Sequence, residues 1–217
     1  MKLFLLLFLL IFIQTSYSQD ISVKVLDTDF SKGRLIHQQT ITLDDAAKFH
    51  GHLCDGLAVG FRGLIEAAYK LYPDSIIDRT NTRIVSKSSP CIADIAIYLT
   101  GGRYQYNSFY ISDSIKYLYI IQRIDNGKVF GVNLKPGIKP SIIDSLGNIA
   151  TSRKLDACHI DYLKELEISF LQKILLANPS SIFMVEQVKG FEWKSTLVKT
   201  FIKTDVINKN KPRCMDN

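Results

Sequence analysis

The chain has 217 residues, of which 47% are hydrophobic and 22% charged, enough for one core of ordinary size and too apolar for a disordered or low-complexity chain. Its 27 Lys and Arg against 21 Asp and Glu leave a net charge of +6, with the basic residues scattered along the chain. Nucleic-acid binding requires a concentrated basic face, so that class is set aside. At the amino terminus, Lys2 precedes an unbroken apolar run from Leu3 to Ile13, followed by polar residues with Ser16 and Ser18 in a small-x-small arrangement. The run is too short for a stable bilayer anchor and has the three-part layout of a secretory signal. Cleavage is expected after Ser18, giving an exported (periplasmic or secreted) chain that starts at Gln19 and keeps no membrane anchor.

The mature chain holds no repeat and no Pro/Gly/Ser linker, so residues 19–207 read as one domain and 208–217 as a polar tail. Val23 to Leu26 has strand character, with Leu35 to Ile41 as a partner. Thr42 with Asp45 three residues on predicts a helix start, because the side-chain oxygen caps free amide groups. That helix runs from Leu43 to about Phe49 and meets His50-Gly51-His52-Leu53-Cys54-Asp55-Gly56, where two glycines predict a break. Leu57 to Leu71 resumes as a helix and stops before Pro73. Thr82 to Lys87 alternates as a strand does, and Cys91 to Leu99 is apolar enough for a buried helix. Asn126-Gly127 between Tyr117–Ile124 and Val129–Leu134 predicts a tight hairpin. Asp156 to Leu176 has the longest helical pattern, and Ile182–Val188 and Thr196–Ile202 read as closing strands. Mixed helices and hairpins give an α+β class, an antiparallel or mixed sheet packed by helices with a cleft at the helix break.

His50, His52 and Cys54 stand at i, i+2 and i+4, and in an extended or looped backbone they point to one side. Two imidazoles and a thiolate are nitrogen and sulfur donors suited to zinc or a similar transition metal. Three residues do not complete a tetrahedral site, so a further ligand must come from afar or from water. Cys91 is the candidate, at a helix start after Pro90, where exposed amide groups favour the thiolate. The plainer readings are a helix-end His50, a solvated His52 and a small buried Cys54, or an ordinary Cys54–Cys91 disulfide.

The segment Phe49-His50-Gly51-His52-Leu53-Cys54-Asp55-Gly56 resembles the Phe-His-Gly-His-x-Cys-Pro-Gly signature of the FmdE family, which takes its name from formylmethanofuran dehydrogenase. Cys91, Asp94, Ile95 and Leu99-Thr100-Gly101 resemble its second block, and the two blocks with their spacer cover about residues 40–135. The resemblance implies an α+β domain with a metal-binding cleft, onto which His50, His52, Cys54 and Cys91 map as ligands or site residues. Asp94 maps onto the family's acidic position, where it orients a histidine or accepts a proton. Asp55 replaces the family's proline and adds a carboxylate beside the cluster, a second candidate for proton handling. Gly102 stands where many members carry another cysteine, and no Cys-x-x-Cys pair follows residue 150. The signal segment separates this chain from the cytoplasmic methanogenic enzyme that named the family.

Tyr104 and Tyr106, in an aromatic-rich stretch after the second block, are candidates to wall a cofactor pocket; strand packing is the simpler role. The expectation is an exported metal-binding protein with a small-molecule or cofactor ligand, its metal zinc, with iron or a metal-containing cofactor as alternatives. Two further readings are a non-catalytic carrier for such a cofactor and a Cys54/Cys91 thiol redox protein. A homodimer is compatible with all three. If Cys54 and Cys91 serve the site, Cys158 and Cys214 are left to pair, a bridge worth on the order of 4 kcal/mol. The alternative is an unbridged Cys214 near the end of the tail.

Overall fold

The structure, a computed structural model, describes residues 21–194 and 203–214. The expected signal segment, the strand expected at 196–202 and the last three residues of the tail lie outside them. The described chain opens with β1 (Ser22–Thr28) and β2 (Leu35–Thr42), an antiparallel pair. β3 (Ile76–Asp78) joins β1 on its other side in parallel, so a three-stranded sheet runs β2-β1-β3. Thr42 then caps α1 (Leu43–His50) with a reciprocal pair of bonds: its hydroxyl accepts from the Asp45 amide, and the Asp45 carboxylate accepts from the Thr42 amide. Gly51 ends α1 with φ at 106°, a left-handed conformation that an ordinary side chain resists.

After a short loop comes α2 (Asp55–Leu71), apolar on nearly all sides and buried along most of its length. It packs against α3 (Pro90–Thr100), against α5 (Ala157–Leu176), and on the five-stranded sheet. That sheet runs β5-β4-β6-β7-β8, from Phe109–Ile111, Thr82–Ser86, Tyr119–Arg123, Val129–Leu134 and Phe183–Gln187. Its β4–β5 pair is parallel and the other pairs are antiparallel. Two further helices complete the described order, α4 (Ser141–Thr151) and the single turn α6 (Pro179–Ile182). The result is one α+β arrangement of helices and two mixed-order sheets. Among the described residues no helix is long and apolar enough to cross a membrane.

Close packing at α2 depends on its glycines. A Cβ on Gly60 would fall 2.7 Å from the hydroxyl of Tyr119 and 3.2 Å from Ile92 Cδ1. Tyr119 is fully buried, and its hydroxyl donates to the Ile92 carbonyl at 2.9 Å, so it has nowhere to go. Gly60→Ala gains about 1 kcal/mol of helix propensity, but overpacking a rigid core costs about 1–3 kcal/mol. The variant should therefore melt lower than the parent, and the loss should shrink in a Tyr119→Phe background. Equal melting of Gly60→Ala and the parent by circular dichroism would contradict this packing.

The Cys158–Cys214 bridge is not formed: among the described residues no disulfide occurs, and both cysteines are exposed. The tail is fastened by other means. The Leu35 amide donates to the Lys209 carbonyl, Arg34 Nε donates to the Lys211 and Pro212 carbonyls, and Asn208 Nδ2 donates to the Lys32 carbonyl. The polar tail thus lies along the β1–β2 connection, an attachment that hydrophobic periodicity cannot signal.

Candidate metal centre

Three donors meet where the first three helices converge. His50 is the last residue of α1, Cys54 is the N-cap of α2, and Cys91 lies in the first turn of α3. One ligand atom from each lies within 4.8 Å of the other two. The sulfurs of Cys54 and Cys91 are 3.4 Å apart. A Cβ on Gly56 would stand 3.1 Å from Cys91 Sγ, so a glycine there lets the first turns of α2 and α3 approach. Tyr119, fully buried, is tied to the Ile92 carbonyl beside Cys91.

His50 is already oriented. Its Nδ1 is 2.7 Å from Asp94 Oδ2, and its side chain is only 7% exposed. A carboxylate on Nδ1 fixes the ring and leaves Nε2 as the free donor, the arrangement found behind metal-bound histidines. The two partners are 44 residues apart in sequence, on α1 and α3. Asp94 therefore stands as the group that orients a histidine.

The thiols share a proton unequally. Cys54 and Cys91 share a hydrogen bond between their sulfurs, and Cys54 also accepts from the Leu57 amide at 3.3 Å. The bond with Cys91, which outweighs the opposing effect of burial, brings the Cys54 thiol down from 9.0 to about 6. The same bond, with burial, pushes the Cys91 thiol up. The sequence expected the helix start to favour a thiolate at Cys91; Cys54 also stands at a helix start, and it is Cys54 that accepts the Leu57 amide and is lowered. In the metal-free protein, thiolate at Cys54 persists down to about pH 6 and is lost by protonation below it. Its alkylation by iodoacetamide, followed by mass spectrometry, should reach half its plateau near pH 6. An ordinary thiol midpoint near 9 would contradict the shared proton.

The remaining predicted residues separate. His52 is exposed and outside the three-donor group, though its ring lies 4.8 Å from that of His50. The backbone is helical at His50, left-handed at Gly51 and extended at Cys54, so the three side chains do not align as in a strand. Asp55 is buried at the first position of α2, where its charge acts on both thiols. Tyr104 and Tyr106 form a short 3-10 turn beyond the carboxy end of α3, while Cys91 is at its amino end. An eleven-residue helix is about 16 Å long, and that length separates the tyrosines from the cluster.

Glu167, which sequence reasoning did not single out, lies near enough for its charge to interact with those of Asp55 and Cys54. It is half-buried on α5, and its carboxyl is pushed up by burial, then by the charges of Asp55 and Cys54, against the pull of Lys139 and His52. A signal was present, since Glu167 falls four residues after buried Leu163 and three before buried Phe170, a carboxylate within an apolar stripe.

Comparison with curated proteins gives no match. The family described as FmdE, molybdenum formylmethanofuran dehydrogenase operon, matches residues 49–184. That span begins at the phenylalanine before His50 and ends at the second residue of β8, and it encloses every group of the centre described above. The chain belongs to the FmdE family.

Proposed function

We propose that this protein is an exported FmdE-family domain that binds zinc through His50 Nε2, Cys54 and Cys91. The observation that carries the reading is the convergence of these donors within 4.8 Å, with Asp94 already holding the far nitrogen of His50. Two sulfurs and an imidazole suit zinc well, and three protein ligands leave a fourth position for water, a substrate group or His52. When bound, the metal would supply a Lewis acid in the cleft. Asp55, and Glu167 on α5, are the carboxylates available there to take or give a proton. The ligand is a small molecule or cofactor. Export rests on the run from Leu3 to Ile13 and the small residues before Gln19.

Metal analysis of the purified protein tests the reading. About one zinc per chain is expected, falling to background in a Cys54→Ala/Cys91→Ala double variant. Equal metal in both proteins would reject the centre, and visible absorption would separate colourless zinc from haem or iron–sulfur species. Amino-terminal sequencing of the exported protein should begin at Gln19; an intact Met1 would reject export by a cleaved signal.

A further inference from the structure

The two sulfurs are placed to react with each other as well as to hold a metal. Cys54 Sγ and Cys91 Sγ are 3.4 Å apart, and a disulfide requires about 2.05 Å. Both cysteines start helices that are packed together: Gly56 faces Cys91, with the site of its absent Cβ 3.3 Å from Cys91 Cβ. Closure by about 1.4 Å lies within reach of side-chain rotation and small shifts of the first helical turns. The other two cysteines, Cys158 and Cys214, are exposed and lie outside the donor group.

We infer that Cys54 and Cys91 form a dithiol–disulfide couple whose oxidation excludes the metal, so that a small disulfide of the glutathione type empties the centre and reduction restores it. This rests on the metal reading of the same residues. In the first step the Cys54 thiolate attacks one sulfur of R–S–S–R, forms a Cys54–S–S–R mixed disulfide and expels R–S⁻, which takes a proton from water. In the loaded centre Cys91 is already a thiolate; it attacks the Cys54 sulfur and expels the second R–S⁻, which takes a proton from water as the first did, and the ion leaves with neither sulfur anionic. The cysteines lose two electrons between them, and the small disulfide gains both as two thiols. Two of the three donors are consumed as thiolates, and His50 alone does not retain a divalent ion. An exported chain meets the oxidising compartment in which such a couple operates.

The test loads the reduced full chain with zinc, adds oxidised glutathione, and follows release with a chromophoric zinc chelator alongside peptide mapping without reduction. One zinc should leave for each Cys54–Cys91 disulfide formed, the oxidised protein should take up no zinc, and dithiothreitol should restore one zinc per chain. A Cys158→Ser/Cys214→Ser double variant should behave as the parent. Cys91→Ser should stop at the first step, with a stable glutathione adduct on Cys54. Zinc retained in a protein carrying the Cys54–Cys91 disulfide would overturn the proposal, as would zinc lost with no such disulfide, or thiols left unreacted. A reduced protein that takes up no zinc is seen before any oxidant is added. That result fails the metal reading itself, so the two failures are told apart.

Discussion

Cys91→Ser should weaken zinc binding on the order of 100-fold or more. Structural zinc sites with four ligands are worth about 10–16 kcal/mol, which puts the loss of one sulfur donor at about 3 kcal/mol. The substitution also removes the thiol that hydrogen-bonds Cys54 and lowers its pKa, so the remaining sulfur competes with protons less well. Asp94→Asn leaves all three donors in place and disturbs only the orientation of His50, for an expected loss of about 10- to 100-fold. His52→Ala should matter least, because the ring is exposed and outside the donor group. Competition titration against a chromophoric chelator ranks the three. An unchanged affinity in Cys91→Ser would remove Cys91 from the centre.

Arg62→Met should be the most destabilising substitution outside the site. Arg62 is 8% exposed on α2, and it reaches the carboxy end of α5. Its Nη1 donates to the carbonyls of Ile174 and Leu175, and its Nη2 to that of Ala177 at 2.7 Å. Carbonyls at a helix end have no partner within the helix, and a cation there complements the helix dipole. Methionine fills a similar volume but donates nothing, so the carbonyls lose a charged partner at a cost of about 3 kcal/mol or more. For a domain of this size that corresponds to a melting temperature lower by about 6–12 °C. Arg62→Lys keeps the charge but not the planar fork, and should fall between the two. Thermal unfolding followed by circular dichroism measures all three proteins, and a Met variant melting with the parent would show that Arg62 is dispensable to the α2–α5 junction.

The elements legible in the sequence are those with a local physical cause. Thr42 and Asp45 satisfy each other's amides across one turn, and Asp156 caps α5 through the His159 amide. The hairpin of β6 and β7 is legible from Gly127, whose φ is 67°. However, β6 ends at Arg123, residues 124–128 form a longer connection than the tight turn expected, and Asn126 does not take a positive φ. By contrast, β3 and β5 are three residues each and pair in parallel with strands far away in sequence, so no local pattern marks them. Helix α4 begins after Pro140 without a side-chain cap and carries Gly147, a poor helix former, in its interior, which hides it from propensity and capping signals.

At the centre, residue types were readable and geometry was not. The i, i+2, i+4 spacing pointed to three aligned side chains, yet the helix persists through His50 and leaves His52 outside. The unequal sharing of the proton between Cys54 and Cys91 depends on which sulfur sits at an N-cap, a matter of tertiary placement. Glu167 arrives from more than a hundred residues away, and only the packing of α5 against α2 brings it there.

The core beside the centre bears on how the protein would hold an ion. Tyr119, Ile92, Leu57 and Phe61 are buried in one continuous apolar core, and Tyr119 is tied to the peptide chain beside Cys91. None of these contacts needs a metal. A zinc finger collapses when its ion is stripped, because the ion replaces a core the chain lacks. A core of this kind is expected to hold the scaffold whether or not an ion is bound. On the metal reading proposed above, the chain would fold first, load afterwards and give its ion up to a stronger chelator with its architecture intact.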